Sequence, residues 1–247
     1  PLINTYYVRS TGNAYKIPVS VTTVSNVDRQ IQFTYTSLRA ASGVQYTAPA
    51  TLTMKAGQVI DTLSFSGLFA GYPTGRRDTV KVKITSNDGY VKATGYSDSV
   101  TLYLTKYCDV VLSALSGTFA NTKEYTSASS TAVNYGPYTT TVINLVATGA
   151  TTATCTFTNL FDDGWAPING TLDWTDPANF KVVILSQSIG KSYGGQPAFV
   201  KTSSTPASTF SSCDGSFTLR LDITNAAGTI LSASTGANSG YQIVLNR

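Results

Sequence analysis

The chain has 247 residues, a net charge of +4, 42% apolar but only 12% charged side chains, and no histidine. That length and apolar content are enough for one large or two ordinary domains, while the scarcity of charge and the abundance of Thr, Ser, Gly, Asn and Tyr argue against a helical or cytosolic enzyme. Without imidazole there is no His general base, no His metal ligand and no His partner for a Ser or Cys nucleophile.

Period-two alternation dominates the first hundred residues. It runs through Tyr15-Lys16-Ile17-Pro18-Val19-Ser20-Val21, Ile31-Gln32-Phe33-Thr34-Tyr35, Val80-Lys81-Val82-Lys83-Ile84 and Val100-Thr101-Leu102-Tyr103-Leu104. Such segments are strands with one buried and one wet face, at home in antiparallel sheets. Turn signals separate them at Ser25-Asn26, Ala41-Ser42-Gly43, Lys55-Ala56-Gly57 and Asn87-Asp88-Gly89. Residues 68–75, with two glycines and Pro73, read as a loop. The pattern predicts a β-sandwich over residues 1–107.

The boundary falls after Lys106-Tyr107, and residues 108–247 form the second domain. Residues 109–115 alone carry some helical spacing, stopped by Ser116-Gly117. Strands are then expected at 139–147 and 151–160, joined by Thr148-Gly149-Ala150, and at 170–174, 180–187, 217–223 and 241–245. Residues 202–212, almost wholly Ser, Thr, Ala and Pro, are disordered by composition. Short strands and short turns suggest an up-and-down barrel or a meandering sandwich, and periodicity does not choose between them.

Charge is uneven. Eleven Lys and Arg face five Asp up to residue 107, a net +6; beyond it six basic residues face eight acidic ones, a net −2. The basic residues are scattered and no recognition motif accompanies them, so nucleic acid is not an expected partner. Cys108, Cys155 and Cys213 lack metal or redox spacing. If one disulfide forms, Cys155 with Cys213 is the expected pair because both lie within the second domain; three unpaired thiols are the equal alternative. No apolar run approaches the roughly 20 residues of a spanning helix. The opening at Pro1 in strand-like sequence suggests an export signal upstream.

Ala40-Ala41-Ser42-Gly43-Val44-Gln45-Tyr46, followed by Pro49, Leu52-Thr53-Met54 and Ala56-Gly57-Gln58, resembles the Calx-β-like, immunoglobulin-type domains of exported Bacteroidetes proteins. In the second half, Leu115-Ser116-Gly117-Thr118-Phe119, Asn159-Leu160-Phe161 and Gly215-Ser216-Phe217 are similar to the C-terminal barrel or sandwich domain of such lipoproteins. The resemblance implies an all-β chain of two tandem antiparallel domains. It also implies an extracytoplasmic protein, at the outer-membrane surface or in the periplasm, held to the membrane through a lipid anchor upstream of Pro1. Calcium-binding members carry an acidic residue where this chain has Gln45, so no metal or other cofactor is expected.

Asp162-Asp163-Gly164-Trp165 is the most suggestive segment: carboxylates accept hydroxyl hydrogen bonds and an indole stacks on a sugar ring. Its plainer use is a hairpin loop with Asp-Gly turn chemistry and Trp165 folded over the barrel mouth. Tyr193, in Tyr193-Gly194-Gly195, either stacks on a ligand or sits in a mobile turn. Asp162 with Asp173, or Asp163 with Asp176, would suit a glycoside hydrolase only if about 5–10 Å apart across a cleft, and isolated loop Asp residues are normally turn formers. The expectation is therefore a non-catalytic envelope binding module with Asp162, Asp163, Trp165 and Tyr193 as ligand-binding residues and a polysaccharide as partner. The alternatives are a structural spacer bound to another envelope protein and a hydrolase using an Asp pair.

Overall fold

A computed structural model describes residues 2–85, 92, 94–232 and 240–247, and the chain divides into two compact units, Pro1–Cys108 and Asp109–Arg247. The Asn87-Asp88-Gly89 turn lies outside the described residues.

The described residues of the first unit form eight strands: β1 (Leu2–Val8), β2 (Tyr15–Ser20), β3 (Arg29–Thr36), β4 (Tyr46–Thr47), β5 (Thr51–Met54), β6 (Ile60–Gly67), β7 (Arg77–Ile84) and β8 (Ser99–Lys106). They form one sheet in the order β1-β8-β7-β3-β5 and another in the order β2-β6-β4. Alternation buries Ile17, Val19, Ile31, Phe33, Val80, Val82, Leu102 and Leu104 in a common core. Tyr46 and Phe65 stack within it, centroids 4.9 Å apart. One pairing departs from the antiparallel expectation: β1 runs parallel to β8. The alternation of β7 also turns Asp78 inward, where its fully buried carboxylate is held by Arg76, Nη2 to Oδ2 at 2.6 Å. The entry to β7 therefore carries a buried ion pair, the arrangement that makes a buried carboxylate tolerable.

Gln45 is buried as well. Its amide oxygen accepts the Ala41 N–H at 2.8 Å and its amide nitrogen, Nε2, donates to the Gly71 carbonyl at 3.2 Å. A neutral amide that serves one donor and one acceptor is committed to the loop, and a carboxylate could not make the second bond.

The second unit begins with a short helix, α1 (Leu112–Leu115), followed by β9 (Gly117–Tyr125), β10 (Tyr135–Ala147), β11 (Thr152–Thr158), β12 (Ile168–Asp173), β13 (Lys181–Val183), β14 (Gln187–Tyr193), β15 (Gln196–Thr202), β16 (Ser208–Ser211), β17 (Ser216–Thr224), β18 (Ile230–Ser232) and β19 (Tyr241–Asn246). The order β17-β16-β13-β12-β11-β10-β9-β19 is closed by a β17–β19 pairing, which makes an eight-stranded barrel. Closure decides between the two architectures left open by the sequence. The barrel is not simply up-and-down, because the β14–β15 hairpin is inserted between β13 and β16 and pairs with β17. The expected strand over 180–187 breaks in two, since β13 stays in the barrel while β14 leaves it. β16 occupies part of the segment read as disordered, with Ser208 and Phe210 turned inward.

Phenyl rings fill the barrel, as its width requires: Phe217 meets Phe119 and Phe157 edge-on, each at 5.4 Å. One end is closed by α1, whose Leu115 enters the core, and by Arg247, which donates to the carbonyls of Ala114 and Ser116. The other end, where β9, β11 and β17 finish and β10, β12 and β19 begin, is the mouth.

The expected disulfide is corrected. Cys108 and Cys213 are disulfide-bonded, and Cys155 is a free thiol. β11 turns Cys155 into the barrel core, so it has no route to Cys213. Burial pushes its thiol pKa up to about 12.

Candidate functional site

Two β-bulges build the mouth. Along β9 the buried residues are Phe119, then Thr122 and Glu124, so the side that faces inward changes parity between 119 and 122. The register shows why: Thr140 pairs with Phe119 but Tyr138 pairs with Thr122, placing an extra residue in β9. Without it Glu124 would face solvent. A second shift, between Tyr135 and Tyr138, places the extra residue in β10 and brings those two rings within 5.8 Å of each other beside Glu124. Gly136 permits this approach: its φ is +109°, and a Cβ there would meet the Thr122 carbonyl oxygen at 2.6 Å.

Glu124, the single glutamate of the chain, is therefore 6% exposed. One carboxylate oxygen accepts the Tyr138 hydroxyl; the other, Oε1, has no hydrogen-bond partner among the described residues. Burial raises its pKa above the usual carboxylate range, the Tyr138 bond opposes the rise, and the charges of Asp162 and Asp163 add to it.

The 3-10 turn after β11, Leu160–Asp162, supplies the opposite wall. Asn159, Phe161 and Asp162 all have positive φ, at 57°, 61° and 44°. Asn tolerates this region, but for Phe it is a genuine outlier, and such strain persists where the surroundings over-determine it. Here the Tyr138 hydroxyl accepts the Phe161 N–H, and Asn159 Nδ2 donates to Asp162 Oδ1 and to the Thr139 carbonyl. The contortion lays Phe161 against Trp165, centroids 4.5 Å apart, and edge-on to Tyr241 at 5.5 Å.

Trp165 is 6% exposed, and its indole N–H donates to the Tyr193 hydroxyl at 2.9 Å. Tyr193 in turn donates to Asp163 Oδ2 at 2.8 Å, and Lys191 approaches Oδ1 at 3.3 Å. These bonds hold the Asp163 pKa below the usual range; burial and the neighbouring carboxylate push that of Tyr193 up. Asp163, Trp165, Tyr193, Phe161, Tyr241 and Glu124 surround a cavity of about 460 Å³, completed by Asn134, Ile223 and Leu231. That volume lies within the range of small-ligand sites.

Three of the four residues singled out from sequence thus line one cavity. Asp162 stands beside it, engaged by Tyr135 at 3.0 Å and by Asn159. Asp173 and Asp176 are not brought to the mouth. They accept the N–H groups of Thr175 and Ala178 in ordinary turns, and Asp173 pairs with Thr152 at the opposite end of the barrel. Neither proposed Asp pair spans a cleft. Glu124, Phe161 and Tyr241 escaped the sequence reading. A lone Glu in a Glu-poor strand was the available signal, but uninterrupted alternation from Phe119 would have turned it outward.

No protein-family model matches the chain, and no curated protein matches it. Solved structures do overlap with it. One is a protein of unknown function from Bacteroides ovatus, 14% identical, covering 99% of this chain and 85% of its own, with a TM-score of 0.37. An auxiliary nutrient binding protein from Bacteroides thetaiotaomicron is 10% identical, covering 98% and 89%, with a TM-score of 0.35. The calcium binding domain CBD12 of CALX1.1 is 11% identical, covering 90% and 79%, with a TM-score of 0.36. Overlaps this loose leave the function to be argued from the cavity itself.

Proposed function

We propose that the second unit is a non-catalytic binding module and that the cavity at the barrel mouth takes a saccharide unit of an extracellular polysaccharide. The observation that carries the reading is the pairing of aromatic walls with a buried acceptor that no described residue satisfies. Phe161, Trp165 and Tyr241 offer ring faces and edges, and Glu124 Oε1 is a carboxylate oxygen without a donor. A sugar matches both, with C–H faces for the rings and hydroxyls for the carboxylate. Asp163 is already held by Tyr193 and Lys191, which suits a positioning role rather than a free catalytic base. An extracytoplasmic setting fits the oxidised Cys108 and Cys213.

A glycan array tests the proposal, with the wild type beside Tyr241→Ala and Trp165→Phe. The expected result is binding to at least one glycan, weakened in both variants. Absence of any bound glycan, or cleavage of one, would refute it. The spacer reading draws on a different feature: β14 ends the sheet, and Leu185 just before it is 77% exposed. An outer edge of this kind suits strand addition by another envelope protein, and such an interaction would survive both mouth substitutions.

A further inference from the structure

Resting on that reading, we infer that the sugar in this cavity carries a free, protonated amine, so that the pocket selects an amino sugar over neutral and acidic ones. Every element around Glu124 contributes to the argument. From β10 come the hydroxyls of Tyr135 and Tyr138, and from the strained turn the carboxylates of Asp162 and Asp163. β14 supplies Lys191 and Tyr193, and β19 supplies Tyr241. Ile223 of β17 and Leu231 of β18 are apolar, and Asn134 is neutral. Three carboxylates therefore face one ammonium, that of Lys191, and it is placed on Asp163.

The cavity is thus acidic and aromatic at once. Glu124, more than nine-tenths buried, with no donor to Oε1 among the described residues, is the point where an ammonium would add most. It would form a charge-assisted hydrogen bond there, stronger than one from a hydroxyl. The rings of Phe161, Trp165, Tyr193 and Tyr241 present π-systems that attract a cation and gain nothing from an anion. A neutral sugar would satisfy Oε1 but leave the charge of Asp162, which only the neutral Tyr135 and Asn159 engage, without a cation. A uronic acid would add a fourth carboxylate and be repelled.

The test is calorimetric titration near neutral pH with three disaccharides of like shape: fully deacetylated chitobiose, its N,N′-diacetyl form and cellobiose. The deacetylated sugar is expected to bind at least about tenfold more tightly than the other two. Glu124→Gln should erase that preference, and added salt should weaken the amino sugar selectively. A circular dichroism spectrum and melting curve matching wild type would confirm that the variant is folded. Equal or tighter binding of cellobiose or the diacetyl sugar, or indifference to Glu124→Gln, overturns the amine inference but leaves the saccharide reading standing. Failure of all three sugars overturns the amine inference, and an empty glycan array is the separate result that removes the saccharide reading.

Discussion

Glu124→Gln should stabilise the second unit at neutral pH, which is the reverse of what most buried substitutions do. The exchange keeps the shape of the side chain and removes its charge. In the native state the carboxyl is buried, has one oxygen unpartnered among the described residues and feels Asp162 and Asp163, so its pKa is raised above the ordinary glutamate value of 4.5. The sign follows. Well below 4.5 the group is protonated whether folded or not, and contributes no penalty. As pH rises the unfolded chain releases its proton first, and stability falls until the native carboxyl has ionised too. Leaving a buried polar atom unpaired costs about 1–3 kcal/mol, more when it is charged. The amide retains part of that cost, since its own N–H2 lacks an acceptor, so a net gain of about 1 kcal/mol is expected. Both tryptophans, Trp165 and Trp174, lie in the second unit. Their fluorescence during urea unfolding therefore reports on the barrel alone. The variant should be the more stable protein at neutral pH, with the gap closing towards acid. A wild type that is more stable at neutral pH, with the difference vanishing in acid, would mean that Glu124 is satisfied and its pKa lowered, and the reasoning would fail.

Trp165→Ala should cost the same transition about 3–5 kcal/mol, the usual loss for a buried aromatic, because it removes the tilted ring contact with Phe161 and the Tyr193 bond together; a loss below about 1 kcal/mol would show that the indole does not organise the mouth. Gly136→Ala should lower the urea midpoint by the equivalent of about 1 kcal/mol or more, since the new Cβ meets the Thr122 carbonyl and φ is positive. Cys155 should resist alkylation in the folded protein at mildly alkaline pH and react once urea unfolds the barrel, because burial keeps the thiol protonated up to about 12; rapid native-state labelling followed by mass spectrometry would contradict its placement in the core.

Much of the fold was legible because alternation is a local signal. β17 appears in the sequence almost residue for residue, and so does its inward face, whereas β7 begins three residues before the alternation read at Val80 and turns Asp78 inward. Barrel closure was not legible, because it depends on β17 meeting β19 and on nothing within either strand. The site was half legible. Asp163, Trp165 and Tyr193 announce themselves by residue type and turn chemistry. Glu124 does not, because a bulge in β9 reverses its facing, and bulges leave no mark on a period-two pattern. Phe161 is hidden for a similar reason: a positive φ at a bulky residue runs against its preference and is imposed by Tyr138 and Asn159. Gln45 shows the converse case, where a departure from the calcium-binding pattern has a direct structural use in bonding Ala41 and Gly71.

The indole N–H resonances of the two tryptophans give the most direct view of the mouth. Trp165 Nε1–H points at Tyr193 inside the cavity, whereas Trp174 packs against Phe210 away from it and serves as an internal reference. Titrating a bound saccharide into ¹⁵N-labelled protein, with Trp174→Phe for assignment, should move the Trp165 signal and leave the Trp174 signal in place. A saccharide that binds while the Trp165 signal stays fixed would contradict the assignment of this cavity as the binding site.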